Sequence, residues 1–231
     1  MKIINHYIYN QEVSLILFNQ CFFIMSDAIL CLIFGVKSRW YQIHVLGNTL
    51  VTLNIINATY NLYRDPYNNY RLLADQSASY TILSMHIHHI LFFKLNFMDY
   101  FHHILFVLLG IIPTIFWIKT NQIYYGYIAC SGIPGVIEYT LLALMKNGKI
   151  SQYKQKQLNA FIYNYIRCPM CIYGACTNLT MIRYNKILKM ENVYLTIYIN
   201  VLLFLNGTIF NQLTLESYYK NKNKYTYMHI I

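Results

Sequence analysis

The sequence predicts an all-α integral membrane bundle of about seven transmembrane helices. Of its 231 residues, 57% are apolar and 11% are charged, whereas an average soluble domain is about 25% charged. The apolar residues form stretches of roughly 20, the length that crosses a bilayer as an α-helix. The charges lie in the short gaps between these stretches, as is typical of membrane proteins. This pattern argues against a soluble enzyme and against a disordered chain.

Seven stretches are candidates for these helices. The first, third and fourth are largely apolar, whereas the second is half polar and suits an interior or interfacial helix. The fifth contains Pro134, which removes a backbone donor and is expected to break that helix. In chain order the stretches are 13–35, 40–62, 77–95, 98–118, 122–146, 158–182 and 192–213.

We expect one membrane domain with two short flanking segments. The domain covers 13–213, between an N-terminal segment 1–12 and a basic tail 214–231. The tail carries three lysines, which is typical of a juxtamembrane segment that faces anionic lipid. The net charge of +10 is dispersed in the gaps between helices. We therefore predict membrane lipids as partners and no nucleic acid, and we assign no oligomeric state.

The most informative segment is a histidine-rich hairpin around a turn near residue 96. His86 and His89 precede the turn, and His102 and His103 follow it. His89 and His103 each lie about seven residues from the turn, so both are expected roughly 10 Å into the bundle. Asp99 is three and four residues before the pair and can reach one of them. Such a cluster suits a general base, a nucleophile helper or a metal ligand. We expect the neighbouring His88 to face the membrane interface.

Two further ionisable residues are candidates for substrate binding, together with His86 and His89. Glu138 lies about one turn beyond the break at Pro134, and Arg167 lies in the sixth apolar stretch. Ionisable residues at membrane depth are costly and by default suggest function. The two side chains could pair with each other. The alternatives are a surface position for Glu138 and a snorkelling Arg167 that reaches a phosphate.

The hairpin resembles the TLC superfamily of multi-pass membrane proteins, which includes the ceramide synthases. The resemblance lies in a small residue followed by tyrosine, Ser79-Tyr80, then a turn, Asp99, and the pair His102-His103. It implies a protein of sphingolipid metabolism in the endoplasmic reticulum or another endomembrane. It further implies an acyl-CoA-dependent N-acyltransferase with a long-chain amine as acceptor. Asp99, His102 and His103 would be catalytic, with acyl-CoA as co-substrate and no bound cofactor.

The sequence departs from this family in two places, and two alternatives stay open. Phe106 stands where ceramide synthases carry a threonine, and Glu138 lacks its usual neighbours. These departures favour the first alternative, a non-enzymatic protein that binds lipid or regulates membrane composition, with a structural histidine layer. The second alternative is a histidine-metal membrane oxidoreductase. We assign no residue as a metal ligand.

Overall fold

The computed structural model describes the backbone of residues 2–184 and 190–230, and the side chains of 12–184 and 193–223. This part of the chain is helical and contains no strand, which confirms the all-α prediction. Single helical turns at Val36–Ser38 and Pro66–Asn69 join longer helices. The longer helices are α1 Lys2–Phe34, α2 Arg39–Arg64, α3 Ser77–Phe92, α4 Phe97–Trp117, α5 Ile123–Cys130, α6 Ile133–Lys146, α7 152–184 and α8 Met190–Ile230.

Four segments of the described chain, fewer than the predicted seven, are long and apolar enough to cross a membrane. The other three predicted stretches are also helical, but each is either too polar or too short to count as a candidate membrane span. The second and sixth, within α2 and α7, are too polar, and α3 has only 16 residues, about 24 Å of helix. The described part of the bundle therefore combines four candidate spans with three helices that are shorter or more polar. The four segments are Glu12–Phe34, Phe97–Trp117, Ile123–Lys146 and Val193–Asn223.

The predicted break at Pro134 divides one apolar segment into α5 and α6. Helix α5 ends at Cys130, and α6 begins at Ile133 with Pro134 in its first turn, where the missing N–H costs no hydrogen bond. The short α5 is the centre of the core, and nearly all of its side chains are buried. It contacts α2, α6, α7 and α8.

Two helices widen locally into π-helix. Helix α4 is π-helical over His103–Ile111, and α7 is π-helical over Tyr163–Arg167. A π-helical turn carries an extra residue and is frequent at functional sites. Both segments hold a predicted site residue, His103 in α4 and Arg167 in α7.

The connection 65–76 closes over one end of the core. Its backbone pairs with the link between α4 and α5 through Ala74 N–H to Lys119 (2.8 Å) and Asn121 N–H to Leu72 (3.0 Å). Asp65 caps the single turn that follows it. Hydrogen bonds from the Asn68 side chain and backbone lower the pKa of the Asp65 carboxyl.

A partly buried ionic triad joins the first three helices. The Asp27 carboxylate accepts Arg39 Nε at 2.7 and 2.8 Å, and His88 Nε2 lies 3.2 Å from its Oδ2. His88 is 1% exposed. The expectation of an interfacial His88 is therefore wrong, because its ring is buried inside the bundle and its Nε2 contacts a carboxylate from α1.

Candidate functional site

All seven predicted site residues line one cavity of about 320 Å³. The volume is at the lower end of the range for small-molecule sites. Helices α2 to α8 all contribute to the walls. The predicted residues on the cavity wall are His86, His89, Asp99, His102, His103, Glu138 and Arg167.

The histidines of the hairpin form one cluster across α3 and α4. The His86 ring centre lies 4.8 Å from that of His103 and 5.2 Å from that of His102. His86 and His89, one turn apart on α3, have ring centres 5.8 Å apart. His86, His89 and His103 are buried, and His102 is half-buried. The structure thus agrees with a histidine layer shared by both arms of the hairpin.

A fifth histidine, His44, belongs to this cluster and was missed by the sequence analysis. It comes from α2, is 4% exposed, and its ring centre lies 4.0 Å from that of His89. Its ring stacks on Tyr139 at 3.8 Å. The available signal was its position in a half-polar stretch, where an interior helix presents polar side chains to the bundle centre.

Asp99 has a different role from the one predicted. Its Oδ2 accepts the Asn96 N–H at 2.8 Å, while the Asn96 side chain accepts the N–H groups of Met98 and Asp99. This reciprocal pair is a capping box at the start of α4. Among the described residues, no hydrogen bond joins Asp99 to an imidazole. The expected hydrogen bond from an imidazole to Asp99 is therefore not found there, and the carboxylate instead accepts a backbone N–H at the helix end.

The other half of the cavity is a buried polar network around Arg167. Its guanidinium donates to Glu138 at 3.3 Å, to Asn206 at 3.0 Å and to the Tyr163 hydroxyl. Tyr163 in turn donates to Glu138 at 2.5 Å. Among the side chains that the structure describes, none forms a hydrogen bond with Arg167 Nε. The structure shows Arg167 paired inside the bundle, so neither a snorkelling arginine nor a surface Glu138 describes this site.

Two aromatic residues connect the histidine cluster to the Arg167 network. Phe210 of α8 lies 6.0 Å from the His102 ring and 5.6 Å from the Arg167 guanidinium carbon. The ring of Tyr139, the residue next to Glu138, stacks on the His44 ring. Because both halves share these walls, a ligand in the cavity can contact an imidazole and the guanidinium at once.

The cavity has apolar as well as polar walls. Phe106, Val107, Ile111, Leu202 and Leu203 contribute apolar surface. Tyr127 also lines it, and its hydroxyl is fixed by Ser79 at 2.8 Å and Thr114 at 3.0 Å. An amphipathic ligand suits this mixture, since a few polar groups fix its orientation against an apolar lining.

Comparison of the chain with family models, curated proteins and solved structures finds no match. The TLC resemblance therefore stays a prediction that rests on the hairpin residues.

Proposed function

We propose that this protein is an integral membrane protein of lipid metabolism or lipid handling, with the histidine-lined cavity as its lipid site. The observation that carries the proposal is the convergence of the seven predicted site residues and His44, from five helices, on one partly apolar cavity. Buried ionisable groups in a bundle are expensive and are expected where function needs them. The endoplasmic reticulum or another endomembrane is the proposed location.

The proposed reaction is transfer of an acyl group from acyl-CoA to a long-chain amine. The amine nitrogen forms a bond to the acyl carbon, and the carbon–sulfur bond to CoA breaks. An imidazole takes the proton that the amine releases and passes it to the leaving thiolate. His102 is the best placed base, since it lines the cavity beside Phe106 and Phe210 and is less buried than His103.

Arg167 is the proposed anchor for the charged or polar part of the ligand. A guanidinium binds phosphate and carboxylate oxygens well, and the buried Arg167 Nε has no partner among the described residues. Glu138 and Tyr163 hold the guanidinium in place from α6 and α7. A ligand anchored here would extend toward His102 along Phe210.

A second candidate is a lipid-binding protein without turnover. The observation that favours it is the capping role of Asp99, because an imidazole without a carboxylate partner is a weaker base. In this version the cavity would hold a lipid that co-purifies with the protein.

The test is lipid profiling of cells that express the wild type, His102→Ala or Tyr100→Ala at equal abundance. Tyr100 is the matched control, since it lies on the same helix, is 55% exposed and is not part of the cavity wall. We expect one lipid class to rise with the wild type and Tyr100→Ala, and to return to the background level with His102→Ala.

Two other results would change the conclusion. An unchanged profile together with a lipid that co-purifies with the wild type, and not with Arg167→Met, supports the second candidate. An unchanged profile with no co-purifying lipid contradicts both candidates.

A further inference from the structure

We propose that His86, His89 and His103 bind a divalent transition metal, with zinc as the expected ion. One ring nitrogen from each residue lies within 4.8 Å of the other two. Zinc bound at about 2.0–2.1 Å from each nitrogen in tetrahedral geometry holds them about 3.3 Å apart. A shift of about 1 Å or less at each imidazole therefore closes the site.

Several ring nitrogens of these three histidines form no hydrogen bond with any described residue. In the part of the chain that the structure describes, His86 Nδ1, His103 Nδ1 and both nitrogens of His89 are buried and have no hydrogen-bond partner. His86 is 5% exposed, His89 is 0% exposed and His103 is 7% exposed. A neutral imidazole carries one donor and one acceptor, and leaving these buried and unpaired is unfavourable. A metal ion satisfies one nitrogen of each ring in a single step.

The surrounding side chains hold the rings in place. His86 and His89 are fixed by their spacing of one turn on α3, and His103 lies at the start of the π-helical segment of α4. The Trp40 indole stacks on His89 with centroids 4.1 Å apart and planes 10° apart. His44 contacts the same ring from α2. Such neighbours orient metal ligands and tune their affinity.

The donor set selects the class of metal. Three imidazoles without a carboxylate or thiolate suit zinc and other first-row transition ions, whereas magnesium and calcium prefer oxygen. Three histidines also leave a fourth position for water or substrate, as in catalytic zinc sites. The three ligands line the same cavity as His102, so a molecule in the cavity could reach that position.

The experiment measures metal in the full chain, purified in detergent through an affinity tag without histidine. We expect about one zinc ion per chain by elemental analysis. Metal-free protein titrated with Co²⁺ should develop the visible absorption bands of tetrahedral cobalt. Added zinc should then abolish these bands, and should raise the melting temperature of the metal-free wild type.

Variants assign the site and separate it from the proposed lipid chemistry. His86→Ala and His89→Ala should each lower the metal content to below about a tenth of the wild-type value. His102→Ala, the matched control outside the trio, should keep its metal while losing the lipid change. Metal retained by both trio variants would overturn the proposal.

The wild type alone gives a second test that does not depend on how the variants fold. Absence of cobalt bands and of any zinc-dependent rise in melting temperature in the wild type would also overturn the site. The lipid proposal is decided separately by His102→Ala, because His102 is not one of the three ligands.

Discussion

Arg167 is the side chain on which most of the buried charge in the cavity depends. It contacts Glu138, Tyr163 and Asn206, and its guanidinium carbon lies 4.6 Å from the Tyr163 ring centre. A buried charge is tolerated when it is paired and hydrogen-bonded. The Arg167–Glu138 pair joins α7 to α6, and the hydrogen bond from Arg167 to Asn206 joins α7 to α8. Arg167 therefore helps to hold three helices around the site.

Arg167→Met should therefore lower the free energy of unfolding by about 3 kcal/mol, because it leaves Glu138 buried without its cation. The value is at the lower end for such pairs, since the Glu138 side chain keeps 17% exposure. The matched control is Arg167→Met combined with Glu138→Gln, which removes the orphaned charge. The double variant should regain most of the loss in a denaturant titration in mixed micelles. Equal stability of the single and double variants would contradict this account.

The residues of the site differ in how far the sequence could predict them. The histidine hairpin and the possibility of an Arg167–Glu138 pair follow from spacing and from the cost of charge in apolar segments. His44 does not, because it is separated from His86 by 41 residues and only helix packing brings the two together. The role of Asp99 is also ambiguous in sequence, since its position permits both a capping box and a contact with an imidazole.

At the scale of elements, α7 and α8 form the most extensive helix pair of the bundle. Their close approach depends on Gly207, where a Cβ atom would lie 2.6 Å from Cys171 Cβ. Real Cβ atoms do not approach each other this closely, so a side chain at this position would separate the two helices. Small residues serve the same purpose in other membrane bundles.

Gly207→Ala should destabilise the protein by about 1–3 kcal/mol, the usual cost of overpacking. Gly126→Ala is the matched control, because the nearest atom to its added Cβ would be a Leu203 methyl at 3.8 Å. That contact is ordinary, and alanine in a helix is favoured over glycine by up to about 1 kcal/mol. Melting temperatures of both variants in detergent check the difference. A loss of stability in Gly126→Ala alone would contradict the packing described here.

The sequence predicts the positions of the helices better than it predicts which of them are apolar and long enough to cross the membrane. Six of the seven predicted stretches lie on one helix each and the fifth lies on two, α5 and α6, since apolar length and turn residues mark helices well. The structure has four candidate spans in its described part and not seven, because α3 is short and because α2 and α7 bury polar side chains against other helices. A polar stretch in sequence does not reveal whether it faces water or the interior of a bundle.

At the scale of the whole molecule, the surface is apolar and the interior is partly polar. Leu17, Phe18, Met25 and Leu32 on α1 are 60–88% exposed. Inside lie Asn48, Gln155, Asn178, Asn200 and other polar side chains, each less than 9% exposed. A bilayer accounts for this arrangement, since lipid solvates the apolar exterior while helices satisfy one another inside.

A nitroxide on Cys21 should therefore collide more often with oxygen than with a water-soluble nickel chelate. Cys21 is exposed and lies within the apolar segment Glu12–Phe34, where oxygen is concentrated and the chelate is excluded. The protein is reconstituted in vesicles with its other cysteines replaced by alanine. Lys149→Cys, in the exposed link between α6 and α7, is the control and should show the opposite preference. Preferential collision of the Cys21 label with nickel would place α1 outside the bilayer.

The apolar exterior has a consequence for how this chain can evolve. Exchange of leucine, isoleucine, phenylalanine and methionine on the lipid-facing surface preserves solvation, so these positions can drift freely. The polar interior is more constrained, because many of its side chains hydrogen-bond to another helix, as those of Asn178 and Asn206 do, or line the cavity. Divergence should thus accumulate among apolar residues and spare polar ones, the reverse of the pattern in water-soluble proteins, where buried apolar residues are constrained by packing.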